Sequence, residues 1–237
     1  APFVVDVLKQ GINLVRSGRA AALCTLPIHK QALQDGAAFA YPGHTEFLAA
    51  YSGVKRPVMM LAGPELKVVP ATIHIPLSEV PRALNKTDLE EVIVITHEGL
   101  NKYFQIPHPR IVVAGLNPHA GENGKFGQED IEIIQPVIKK LQQKGLDISG
   151  PHSADTLFHK AARERYDAAV AMYHDQALIP IKTIDFDKGV NLTLGLPFIR
   201  TSPDHGTALD IAGQGKANPT STIEAIKLAA RLGAAND

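Results

Sequence analysis

Apolar positions recur first at helical spacing and then in short runs. Val4, Val5, Leu8, Ile12 and Val15 predict an amphipathic helix over roughly Val4–Ser17, followed by the strand-like Ala20–Leu26. Short helices are expected around His29–Asp35 and from Thr45, where Phe47, Leu48 and Tyr51 recur. Val58–Ala62 and Leu66–Thr72 read as strands, and helical patterns cover Leu77–Leu84 and Asp88–Phe104. The second of these opens on Thr87-Asp-Leu-Glu90, a capping box that satisfies free amides of the first turn. The apolar run Ile111–Ala114, bounded by Gly115, reads as a buried strand feeding a turn that offers His119 and Glu122. A helix with Ile131, Ile134, Ile138 and Leu141 follows. Asp155–Arg165 reads as helix, Ala168–Met172 and Val190–Leu196 as strands, and a last helix starts at the box Ser221-Thr-Ile-Glu224. Strands alternating with helices predict an α/β fold with a largely parallel sheet. No repeat or linker divides the chain, so any second domain is built from interleaved segments.

The totals exclude more than they identify. At 237 residues and 45% hydrophobic content the chain can bury a sizeable core. Its formal net charge is zero and Lys and Arg form no block, which argues against nucleic acid or an acidic membrane as main partner. A single cysteine, Cys24, rules out an intramolecular disulfide framework and suits a reducing cytoplasm. No apolar run reaches membrane-spanning length. The chain opens at Ala1 rather than Met, for which processing or trimming is the plain explanation.

Three histidines then change the picture. His74, His119 and His174 each follow an apolar run, so parallel strands could bring all three to one sheet edge. Three imidazoles around a divalent cation with open positions form a catalytic metal arrangement. Each could equally be an ordinary hydrogen-bonded histidine, and no local H-x-x-x-H forces convergence. Asp155 has the default role of an N-cap, and Asp175 either orients His174 or is solvated. Gly43-His44-Thr45-Glu46 opens a helix whose free amides favour an anion, unless Thr45 merely caps it. Lys182, Asn191 and Arg200 are candidates for holding phosphate or carboxylate. There is no Walker A and no G-x-G-x-x-G, since Gly213-Gln-Gly215-Lys216 lacks a third glycine. No G-x-S-x-G elbow supports a serine hydrolase, and Cys24 reads as core rather than nucleophile.

Several motifs occur in order: Pro42-Gly-His-Thr-Glu-Phe47, Gly115-Leu-Asn-Pro-His-Ala-Gly-Glu122, Ala154-Asp-Thr-Leu-Phe158, Ala171-Met-Tyr-His-Asp-Gln176, Leu194-Gly-Leu-Pro-Phe-Ile-Arg-Thr-Ser202 and Asp204-His-Gly-Thr-Ala208. Together they make the chain resemble the 4-hydroxythreonine-4-phosphate dehydrogenase family of pyridoxal phosphate biosynthesis over essentially its whole length. The resemblance implies an isocitrate/isopropylmalate dehydrogenase-like α/β fold of two interleaved domains with the site in a cleft. On that pattern, residues 1–40 and 205–237 belong to a first domain and residues 41–204 to a second. It implies NAD- or NADP-linked oxidation of a small phosphorylated substrate, 4-phosphohydroxy-L-threonine, then decarboxylation to 3-amino-2-oxopropyl phosphate. It also implies a homodimer sharing a divalent metal ion between subunits, with zinc, cobalt, manganese or magnesium all chemically suitable. Carried over by position, the metal ligands are His74, His119 and His174. The substrate contacts are His44, Thr45, Lys182, Asn191 and Arg200. Lys182, Asp155 and Asp175 are the catalytic candidates, and the nicotinamide contacts fall in the segment Asp204 to Asn218, with Asp204, His205, Gly206 and Asn218 as best choices. The family's opening Thr-Pro-Gly-Asp/Glu-Pro-Ala-Gly-Ile-Gly-Pro motif is absent, so the first domain is expected to be incomplete. Two alternatives stand beside the main reading: a paralogue acting on a phosphorylated threonate or an aromatic cis-dihydrodiol, and a non-catalytic metal-binding dimeric fragment.

Overall fold

Short strands, most of them largely buried, set the layout of the computed structural model, which describes residues 1–235. In chain order the elements are α1 (Pro2–Arg16), β1 (Ala22–Cys24), α2 (Lys30–Ala37), α3 (His44–Ser52), β2 (Val58–Ala62), β3 (Lys67–Pro70), α4 (Val80–Ala83), α5 (Lys86–Phe104), β4 (Ile111–Ala114), α6 (Gln135–Gln143), β5 (Ile148–His152), α7 (Lys160–Arg163), β6 (Ala168–Ala171), α8 (His174–Asp185), β7 (Val190–Leu194), β8 (Ile199–Pro203) and α9 (Thr220–Ala234). The architecture is α/β with a mixed sheet. Among the described residues no helix is long and apolar enough to cross a membrane.

The chain divides into two compact units, one of residues 1–57 with 187–237 and one of residues 58–186. These boundaries lie inside the span 41–204 outlined from sequence. The reason is that α3 packs with α1 and α2, and β7 pairs with β8, which pairs with β1. In the first unit β1 runs parallel to β8, and β7 is antiparallel to it. Leu8, Ile12 and Val15 of α1, Leu33 of α2 and Phe47 and Leu48 of α3 form its core, extended by Phe39 packing at 5.4 Å against both Tyr41 and Phe47. In the second unit the strand order is β2-β3-β6-β4-β5, with β3, β6, β4 and β5 all parallel and β2 antiparallel to β3. β4 and β6 are buried at every position, as strands covered on both faces must be, and small alanines in β6 let flanking layers approach.

Several expected boundaries move. α5 is capped by Asn85, whose side chain accepts from the Asp88 amide at 2.9 Å, so the box at Thr87 is not used. α9 starts at Thr220 without the Ser221 box: Asn218 accepts from the Thr220 amide at 3.0 Å, and the Ser221 hydroxyl instead accepts from the Asp204 amide. The single helix expected over Asp155–Arg165 breaks into a 3-10 turn at Ala154–Thr156 and α7. Between them the Leu157 and Phe158 carbonyls are taken by the Tyr166 hydroxyl and the Arg163 guanidinium. Asp155 is therefore not an N-cap. Leu77–Leu84 likewise becomes a 3-10 turn followed by α4, and the helix with Ile131 begins as a π-turn over Asp130–Ile134. β5 and β8 are strands that the apolar pattern did not mark.

Leu48 is fully buried on the helix that opens with His44. Leu48→Ala is expected to lower unfolding free energy by about 2–5 kcal/mol, checked by urea unfolding with α3 helicity otherwise intact.

Candidate active site

In the second unit the parallel order β3-β6-β4 sets three strand ends side by side, and each is followed by one of the three histidines. Pairing continues past β3 and β6: the Ala71 amide donates to the Ala171 carbonyl at 2.7 Å, and both Thr72 donors reach the Met172 carbonyl. That extension carries His74 and His174 together, with ring centroids 5.8 Å apart. They line a pocket of about 230 Å³ with Tyr173 and Asp175, walled by Ile73, Leu77 and Val80. His174 Nδ1 and Asp175 Oδ1 are 2.7 Å apart, so the carboxylate fixes the ring and leaves Nε2 for another partner. His74 adopts a left-handed φ of 53°, an unusual state for a side-chain-bearing residue.

His119 is on the turn after β4, exposed, and not within the His74–His174 pair. Among the described residues no group of three or more His, Cys, Asp or Glu side chains gathers closely enough in one chain to hold a metal ion. The turn has its own oddity: His119, Ala120, Gly121, Glu122 and Asn123 all have left-handed φ, at 52°, 50°, 78°, 40° and 57°. Left-handed helical backbone costs roughly 1–2 kcal/mol per non-glycine residue. The offset comes from Asp130, a fully buried carboxylate that accepts from the Leu116 amide at 2.9 Å, the Asn117 amide at 3.2 Å and Asn117 Nδ2 at 3.0 Å. Such hydrogen bonds to a charged acceptor are each worth roughly 1.5–3 kcal/mol. Glu122 points to solvent, 4.0 Å from Lys125. Gln176 ties the two histidine loops together, accepting from the Met172 amide at 2.7 Å and donating to the Gly115 carbonyl at 2.8 Å. Asp155 accepts from the Ser153 hydroxyl at 2.6 Å; that bond first, and the nearby His119 in lesser measure, hold its carboxyl below the usual range. Lys182 lies on α8, eight residues beyond His174, with its ammonium 5.8 Å from the Phe186 ring centre.

The first unit holds the anion-binding candidates. The register Asn191↔Ser202 and Thr193↔Arg200 puts all four residues on one sheet face, and Leu23↔Arg200 brings Thr25 to the same face two residues on. Arg200 is 3% exposed and bonds only hydroxyls: Thr25 Oγ1 at 2.8 and 3.1 Å and Thr193 Oγ1 at 3.0 Å. Burial pulls its guanidinium down to about 10, against the attraction of Cys24 and Glu46. Among the described residues no carboxylate is hydrogen-bonded to this buried cation. His44 begins α3, where the Gly43 N-cap gives no side-chain cap and Thr45 does not supply one. Burial, then the charges of Arg200 and Lys30, lower the His44 pKa to about 4, so the ring is neutral at pH 7. His44 Nε2 and Asn191 Oδ1 are buried and, among the described residues, have no hydrogen-bond partner.

The cofactor candidates lie on the exposed connection between β8 and α9. His205 Nδ1 approaches the Gly206 carbonyl at 2.8 Å, and Asn218 Oδ1 accepts from the Thr220 hydroxyl at 2.7 Å. A Cβ added at Gly206, Gly213 or Gly215 would meet nothing within 4 Å. Imidazoles, one of them here hydrogen-bonded to a carboxylate, are among the ligand types a borderline divalent ion takes. Sequence reading did not single out Asp130, Asn117, Gln176 or Lys30.

The second unit has a parallel α/β sheet with histidines after three adjacent strand ends, where enzymes of this architecture build their sites, and the first unit holds a buried arginine bonded to hydroxyls. The chain belongs to the family of the pyridoxal phosphate biosynthetic protein PdxA, whose model matches residues 1–229. It is 66% identical over 229 residues to the 4-hydroxythreonine-4-phosphate dehydrogenase of Ruegeria sp. TM1040, covering 97% of this chain and 70% of that one. The crystal structure of the Klebsiella pneumoniae enzyme of the same name aligns with a TM-score of 0.89 at 45% identity, over 95% of this chain and 68% of that one. A terephthalate 1,2-cis-dihydrodiol dehydrogenase from Burkholderia xenovorans aligns with a TM-score of 0.72 at 32% identity, over 94% and 70%. The chain is an oxidoreductase.

The unfolded chain binds the His44 proton near pH 6.5 and the folded one only near pH 4. Stability is therefore full above 6.5 and is lost as pH falls through that window. The thermal midpoint is expected to drop between pH 6.5 and 4, and His44→Asn to flatten that part of the profile.

Proposed function

We propose that this chain oxidises 4-phosphohydroxy-L-threonine with NAD or NADP and then releases the substrate carboxylate as CO2, leaving 3-amino-2-oxopropyl phosphate. The observation that carries the reading is the buried Arg200 with only hydroxyl partners, flanked by neutral His44 and by Asn191, in a chain this similar to enzymes of that name. Arg200, the amides opening α3 with His44 and Thr45, and Asn191 bind the anionic groups of the substrate. A neutral His44 donates or accepts a hydrogen bond there without repelling Arg200. Lys182, on the same helix as His174, binds the substrate's second anionic group or moves the alcohol proton.

His74, His119 and His174 hold a divalent metal ion, taken from two copies of the chain. Exposed Ile75 and Leu77 beside His74, and Phe126 beside His119, give these loops apolar surface suited to a second copy. The metal these histidines would hold would supply Lewis acidity toward the substrate's alcohol oxygen and positive charge against the negative charge developing there. Asp175 and Asp155 act through the histidines they accompany, fixing ring orientation. The connection from Asp204 to Asn218, with His205 and Gly206, contacts the nicotinamide nucleotide.

The aromatic cis-dihydrodiol reading has one observation in its favour, the 32% identity to the Burkholderia xenovorans enzyme. Identity of 66% to a 4-hydroxythreonine-4-phosphate dehydrogenase favours the phosphorylated amino acid. Offering each substrate with NAD and following nucleotide reduction decides between them. Turnover of the dihydrodiol alone sinks the first reading.

His119→Ala is expected to abolish turnover while keeping the fold, since the side chain is outside the core. Mixing it with equally inactive His74→Ala restores measurable activity if the two histidines come from different subunits; a mixture that stays inactive argues against sharing. Lys182→Ala is expected to raise the KM for the phosphorylated substrate far more than that for NAD. An unchanged substrate KM removes Lys182 from the pocket.

A further inference from the structure

We propose that Asp130 is a positioning residue for His119: its buried carboxylate holds the left-handed turn that presents the imidazole, and thereby sets the affinity of the metal site. The proposal rests on the reading of His119 as a metal ligand.

Asp130 is 0% exposed, a costly place for a carboxylate. A position needed only for packing would be filled better by an apolar side chain. Its hydrogen bonds come from Leu116 and Asn117, the residues that lead into the turn. The turn also wraps tightly around the carboxyl: a Cβ added at Gly115 would stand 2.8 Å from Asp130 Oδ1, and one at Gly121 would stand 3.2 Å from Oδ2. Asn117 Nδ2 is shared with Glu129 Oε2 at 2.8 Å, so two acids of the following helix grip one amide. Gln176 holds the Gly115 carbonyl from the other side, on the helix that begins with His174. The segment from Gly115 to Asn117 is therefore clamped before five successive residues enter a conformation that side chains disfavour. Without the clamp the turn relaxes to ordinary φ values, and the imidazole of His119 is carried away from its present direction. The core beneath, with Ile134, Ile138 and Leu141, does not depend on that direction.

The test uses the full chain, metal-free, with Asp130→Asn as the isosteric change. Two quantities are read: tryptic cleavage after Lys125, whose side chain is exposed at the end of the turn, and zinc affinity by competition with a chromophoric chelator. The folded variant is expected to be cut faster at Lys125 and to bind zinc about tenfold or more weakly, the loss typical when a ligand's supporting partner is removed. Adding Ala120→Gly and Glu122→Gly is expected to restore much of the affinity, because glycine takes left-handed φ without strain. A merely structural role for Asp130 predicts no such rescue. A folded Asp130→Asn protein with wild-type cleavage and wild-type zinc affinity overturns the proposal. Should that variant not fold, Asn117→Ala removes one bond to the carboxylate and must shift both readouts in the same direction; no shift overturns the proposal equally. His119→Ala separates the two ideas. Zinc affinity unchanged in His119→Ala, with Lys125 still freed by Asp130→Asn, refutes the metal role of His119 and leaves the hold of Asp130 on the turn.

Discussion

The parallel pairing of β3, β6 and β4 is the constraint on which the site depends. Val170 of β6 pairs with Val69 on one side and Val113 on the other, so the three chains leave the sheet at one level. Parallel strands need long crossovers, which is why His74, His119 and His174 are far apart in sequence and yet stand at neighbouring strand ends. The strands themselves are four residues each, with no room for functional side chains because β4 and β6 are buried throughout. Chemistry is thereby exported to the loops, and each loop requires its own support. Hydrogen bonds beyond the strand end support the first, Asp130 the second, and Asp175 with Gln176 the third.

The first unit solves a different problem, that of offering positive charge inside a low-dielectric environment. Arg200 keeps its charge by bonding threonine hydroxyls, which satisfy its geometry without neutralising it. The neighbouring histidine yields instead: His44 cannot share the space as a cation and stays neutral. One permanent cation and one neutral imidazole thus stand side by side, a fixed charge beside a group that can donate or accept a hydrogen bond.

Much of this was legible in the sequence, and the reasons for the gaps are physical. Apolar runs marked β2, β3, β4 and β6 because buried strands leave no alternative composition. β5, Ile148 to His152, was missed because it is an edge strand containing glycine and proline, residues that read as a turn. β8 was missed because Arg200, Thr201 and Ser202 look like loop residues, although β8 is buried throughout. The histidines and Arg200 could be named from position and resemblance. The φ values that strain His74 and His119 are tertiary outcomes and leave no composition signal. Asp130 has no signal in the sequence, because its backbone partners are amides thirteen and fourteen residues earlier. Thr87 and Ser221 were plausible caps, but Asn85 and Asn218 stood nearby and are among the strongest capping residues.

The burial of Arg200 has one more consequence, which concerns the surrounding solution rather than the fold. Mobile ions screen charges at a surface within about 8–10 Å at physiological ionic strength, but they do not enter a packed interior. A clamp of surface lysines would weaken steadily as salt rises. A guanidinium already stripped of water by Thr25, Thr193 and the sheet around them keeps its pull on any anion that reaches it. On the proposed reading, an anion held here would be screened by salt less than one held by surface lysines, and the cation is dehydrated at folding instead of at each binding event.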